Sequence, residues 1–191
     1  MSETLQDIIS RFWVTPERGE WTQKTDVVPL PDIRRWFASD DIEILGFVHS
    51  LIHDGRFHIE PPLSIEEYKD FVKTYYERCL GRDSDGEWSE GRYMAGTELV
   101  NIFAALWRDA SVPREILQEL RDWLGQLYRS GEAETRTCIV NATLEHLFEQ
   151  EDIREFFSGW KDDPVLAVAH KDASEWYLGG GSSPLGKPPI V

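Results

Sequence analysis

The chain is short of positive charge, of sulfur and of long hydrophobic runs. Its 20 Lys and Arg face 35 Asp and Glu, a formal charge of −15 over 191 residues. A field of that sign repels nucleic-acid phosphates and anionic headgroups. Direct binding to nucleic acid or to a membrane is therefore not expected, whereas encounter with a basic protein is favoured. Cys79 and Cys138 are the only cysteines. Two thiols build no disulfide framework, and both fall within apolar helical patterns, where a thiol behaves as a small buried hydrophobe. The longest uncharged stretch in the periodic regions covers residues 99–107, far short of the ~20 apolar residues that span a bilayer. Glu3 and Asp7 stand where a secretory leader carries bases, which sets the expected location as the cytoplasm.

Catalytic and cofactor signatures are missing too. No GxSxG, GxGxxG or Walker sequence occurs, and the GGGSS run at 179–183 lacks a Lys-Ser/Thr end and follows no strand. The DSDGE run from Asp83 suggests a calcium loop at first sight. Its glycine falls at loop position four rather than six, however, and position twelve is Met94 instead of a bidentate Glu. No cofactor or metal is expected.

What the chain does have is aromatic bulk. Eight Trp, nine Phe and six Tyr, within an apolar content of 41%, bury enough surface to offset chain entropy despite the charge. Residues 1–91 carry a net −9 and residues 92–178 a net −7, so the acid belongs to the fold rather than to a tail.

Apolar residues recur at helical spacing along most of this length. The first predicted helix covers residues 3–13, with Ser2 as cap and Leu5, Ile8, Ile9 and Phe12 on one face. A long irregular loop with a short edge strand follows to Pro31, then a short helix, then one capped by Ser39 and ended by Gly55. Residues 56–63 read as briefly extended. The next helix starts at Ser64 and places Tyr68, Phe71, Val72, Tyr75 and Cys79 together. Beyond the polar break at 82–91, helices are predicted over 92–109, from Pro113, over 132–148, over 153–160 and from Pro164 to 178. The first of these directs Met94, Leu99, Phe103, Leu106 and Trp107 inward. The expected fold is all-α, an irregular multi-helix bundle or stacked helical hairpins with a loop-rich N-terminal region. Residues 1–178 form one expected domain with a sub-boundary at 82–91, and the Gly/Pro-rich segment 179–191 has the composition of a flexible tail.

Candidate site residues follow from local chemistry. Asp83, Asp85 and Glu87 form an acidic landing surface for a basic partner, with Trp88 as its aromatic anchor. His49 and His53 lie four apart on one helix face, a metal-site spacing, but without the Glu of an HExxH motif or a third ligand fixed by spacing, so they are expected as ordinary surface histidines. Glu98 and Glu145 sit beside apolar faces, where a carboxylate acts as a general acid or base if two converge. His146 follows Cys138 by two helical turns, too far for a direct nucleophile-base contact.

The segment GEAETRTCIVNATLEHLF at 131–148 combines a helix-breaking glycine, an acidic start and an LExLF ending. In this it resembles small acidic helical proteins of uncharacterised bacterial families, some of them regarded as immunity or antitoxin-like partners. The resemblance spans at most residues 92–176 and transfers no functional residue. Together with the charge, it implies a non-enzymatic protein-binding module. The alternative is a small helical enzyme or ligand- or metal-binding protein using buried carboxylates and His49 with His53.

Overall fold

The computed structural model describes residues 3–14, 22–82 and 85–178, and the chain divides into two units, 1–91 and 92–191. The fold is all-α. Strands among the described residues amount to short pieces of two or three residues.

In the first unit α1 (Leu5–Phe12) opens on a capping box. The Thr4 hydroxyl accepts from Asp7 N–H and the Asp7 carboxylate accepts from Thr4 N–H. Thr4 is the cap instead of Ser2 because an acid stands three residues after it and closes the reciprocal pair. Where the sequence predicts a loop with an edge strand, the chain makes two small ladders. β1 (Trp13–Val14) pairs antiparallel with β2 (Thr22–Gln23), and β3 (Val27–Pro29) pairs in parallel with β4 (His58–Glu60). A parallel pair needs a crossover, which α2 (Leu30–Phe37) and α3 (Ile42–His53) supply. The cap of α3 is Asp41, whose carboxylate accepts from Glu43 N–H, while the predicted cap Ser39 is used one step earlier to accept from Asp41 N–H. α4 (Ile65–Leu80) starts on the Ser64–Glu67 capping box.

α3 is the central helix of this unit. Ile44, Leu45, Phe47 and Val48 are buried in near-continuous sequence, with Leu51 a turn on, the pattern of a helix covered on most sides. Phe12 meets Trp36 and Phe57 edge-on, with centroids 6.0 and 5.7 Å apart, and Phe71 stacks parallel to Tyr75 at 5.7 Å. Truncating any of these buried rings costs about 3–5 kcal/mol.

The second unit comprises α5 (Arg92–Arg108), α6 (Arg114–Ser130), α7 (Ala133–Cys138), α8 (Glu145–Leu147), α9 (Glu151–Phe156) and α10 (Leu166–Leu178). α7 runs into α8 through a π-helical turn, Ile139–Leu144, and a 3-10 turn, Ser158–Asp162, precedes α10. The π turn lies against α5. Thr143 Oγ1 donates to the Gly96 carbonyl at 3.0 Å, and a Cβ on Gly96 would stand only 2.7 Å from that of Ala142. Ala95, Leu99, Ile102, Phe103 and Leu106 form the buried stripe of α5. Met94, predicted inward, is 53% exposed, because it sits one residue off that stripe and so about 100° around the helix. No described helix is long and apolar enough to cross a membrane.

Candidate functional site

The acidic segment after α4 is fastened to the first unit from three directions. Gly86 N–H donates to Ser89 O at 2.8 Å, closing a turn. Glu43, in the first turn of α3, accepts from Trp88 N–H at 2.9 Å and from the Ser89 hydroxyl. Arg82, just past the end of α4, donates to Ser89 Oγ at 2.6 Å, and from α4 itself Tyr75 Oη accepts from Glu90 N–H at 3.0 Å. Burial of Glu43 pushes its pKa up, but the donors from Ser89, Trp88, Glu87 and Arg82 outweigh it and hold the carboxyl below its ordinary range. The close approach requires Gly46, since a Cβ there would collide with the Trp88 carbonyl. Glycine costs about 1 kcal/mol relative to alanine inside a helix, and here it lets the loop lie directly on α3.

This anchoring fixes Trp88. Its half-buried ring meets Phe47 edge-on, with centroids 4.8 Å apart and planes at 88°. Its indole Nε1–H is buried and has no acceptor among the described residues. Trp88 and Glu87 line a groove of about 410 Å³ together with Ile9, Trp13 and Arg56 among the described residues. Trp13 rests edge-on against Phe57 at 5.9 Å, and the Arg56 guanidinium lies 5.2 Å from the Trp13 ring centre. Arg56 is forked onto Asp54, with 3.0 Å from Nε and 2.6 Å from the terminal nitrogen, so its charge is neutralised locally.

Of the residues expected to form the landing surface, Trp88 and Glu87 line this groove, and Asp85 is exposed on the same turn. Asp83 lies outside the described residues. Neither the Asp85 nor the Glu87 carboxylate is engaged in a hydrogen bond or ion pair with another described residue. Sequence reasoning missed Ile9, Trp13 and Arg56, which reach the groove from α1, from β1 and from the turn before β4. No local pattern could have announced them, because only tertiary packing joins these positions to residue 88.

His49 and His53 do share a face, with ring centroids 4.1 Å apart; His53 is exposed as expected, but His49 is not an ordinary surface histidine. His49 stacks on Tyr75 at 5.0 Å, and the Tyr76 hydroxyl lies 2.7 Å from its Nε2. Burial, with the neighbouring His53 adding to it, pushes His49 down to about 3. His53 Nδ1–H donates to His49 O at 2.9 Å, which leaves Nε2, 2.8 Å from the Tyr68 hydroxyl, as the acceptor in the neutral ring. The tyrosines therefore occupy the nitrogens a metal would use. Among the described residues no three His, Cys, Asp or Glu side chains gather as metal ligands do.

Glu98 and Glu145 are half-buried, and desolvation raises the Glu145 pKa. No hydrogen bond or ion pair joins the two. Cys79 and Cys138 are free and buried, and burial pushes each thiol up to about 11, the opposite of what a nucleophile needs. Cys138 Sγ donates to Arg92 O at 3.1 Å, a packing role. No known protein family, no curated protein and no solved structure matches the chain.

Proposed function

We propose that the chain is a cytoplasmic, non-enzymatic protein-binding module, of the immunity or antitoxin-like kind, whose partner presents a basic face. One observation carries the reading: the anchored turn at 85–90 leaves the Glu87 carboxylate without a partner among the described residues in a groove that Trp13 and Trp88 also line, with Asp85 exposed and likewise unpaired on the same turn. Aromatic residues in a recessed centre supply affinity, while surrounding charge sets the encounter rate and selects the partner. The net charge of −15 adds long-range attraction for a cationic protein, and that attraction is screened by salt.

The test is affinity capture from the source cells at low and at high salt, with wild type and Asp85→Asn/Glu87→Gln as baits. The expected result is a basic protein held by wild type at low salt, weakened by high salt and by the double variant. Recovery of no basic protein, or equal recovery on both baits, overturns the reading.

A further inference from the structure

Indole, guanidinium and carboxylate recur together in this protein. Trp36 carries Arg11 and Arg35 at 5.7 and 5.8 Å from its ring centre, and Glu3 accepts from Trp36 Nε1–H at 3.0 Å and from Arg35 at 2.9 Å. Arg114 lies 3.5 Å from the Trp107 ring centre, while Trp107 Nε1–H donates to Asp152 at 2.6 Å. Trp13 carries Arg56, which is forked onto Asp54. In each case the weakly hydrated, planar guanidinium lies near the negative face of the ring while a carboxylate holds the guanidinium or the indole N–H.

The Trp88 site has two of these three members. Glu87 supplies a carboxylate to the same groove, and among the described residues no arginine or lysine stacks on Trp88. We propose that the missing member comes from outside: the groove binds an arginine side chain of the partner, its guanidinium against Trp88 and paired with Glu87. This deepens the interaction reading above and rests on it. Arginine is favoured over lysine because an ammonium is more strongly hydrated and cannot stack flat while donating two parallel hydrogen bonds. Arg56 does not oppose the incoming charge, since Asp54 neutralises it. Trp13 offers the second aromatic wall, and the groove of about 410 Å³ falls within the range of small-ligand sites.

The experiment uses the full chain and two capped peptides, Gly-Arg-Gly and its neutral isostere Gly-citrulline-Gly, followed through the indole N–H resonances. Those of Trp13 and Trp88 are assigned with Trp13→Phe and Trp88→Phe. The arginine peptide is expected to shift these two resonances saturably at millimolar concentration, and the citrulline peptide to leave them in place. Glu87→Gln, an exposed change that keeps the fold, weakens binding about three- to five-fold, the scale of a partly exposed charge pair. Trp88→Leu abolishes the shift at Trp13. Equal shifts with both peptides, no shift at low salt, or an unaltered affinity in Glu87→Gln overturns the proposal. Saturable, salt-sensitive shifts elsewhere on the acidic surface overturn the assignment of the groove while leaving the interaction reading standing.

Discussion

Trp36 and Trp88 both lie beside carboxylates in the first unit, yet their surroundings are completed differently. The cleft next to Trp36, about 550 Å³, is lined by Glu3, Asp7, Arg11 and Arg35, and its charges are already engaged: Glu3 with both arginines and with the indole N–H, Asp7 with the Thr4 cap, and both arginines again with nearby Asp32. The groove next to Trp88 has its one arginine tied to Asp54 and leaves Glu87 with no partner among the described residues. A carboxylate spent on the fold helps hold helices together and has little left for a ligand. One left unspent adds little to stability and is free for recognition. The same formal charge thus serves two purposes, and pairing, rather than net charge, tells them apart.

The largest way to break this contrast is to lift the loop that carries Trp88. Gly46→Ala would gain about 1 kcal/mol in an unobstructed helix. Here the added methyl meets the Trp88 backbone, and a net loss of about 2 kcal/mol in urea unfolding is expected. A gain would show that the loop does not lie on α3. Next comes acid. The His49 pKa of about 3 in the folded state lies below its ordinary value of 6.5, so between these values the unfolded chain takes up a proton that the native chain refuses. The stabilisation is complete above about pH 6.5 and shrinks by about 1.4 kcal/mol per unit as pH falls. Urea unfolding at pH 7 and pH 5.5 should show this loss in wild type and not in His49→Gln; comparing the two isolates His49 from His170, whose pKa burial also lowers. An identical loss in the variant would remove His49 as its source.

Smaller effects separate the two tryptophan sites directly. Glu3→Gln loosens Arg11, Arg35 and Trp36 together and should cost about 1–2 kcal/mol, the scale of hydrogen bonds to a charged group. Glu87→Gln should leave the unfolding midpoint unchanged. If both variants were equally destabilised, the distinction between spent and unspent carboxylates would fail.

Much of the fold was legible because a single periodicity dominates it. The faces of α4 and α6 follow from Phe71, Val72, Tyr75 and Cys79, and from Ile116, Leu117, Leu120 and Leu124. The errors arose where a neighbour overrides local pattern. The two short ladders depend on pairing between distant segments, and the cap of α1 depends on a reciprocal acid. His49 looks like a surface residue until Tyr75 and Tyr76 of α4 close over it. For the site, the sequence singled out Glu87 and Trp88 through a local cluster of acid beside an aromatic. It could not indicate the other lining residues, since Trp13 and Arg56 come from elements whose approach is set by packing around Phe12, Phe47 and Phe57. Nor could it separate free acids from paired ones.

The most direct measurement is the affinity of the arginine peptide for three proteins side by side: wild type, Glu87→Gln and Glu3→Gln, with folding checked for each. Both variants lose one negative charge, so a general electrostatic attraction weakens equally in the two. A loss of about three- to five-fold confined to Glu87→Gln, with Glu3→Gln binding as wild type does, is the predicted result. Equal weakening in both variants, or none in either, would contradict the account.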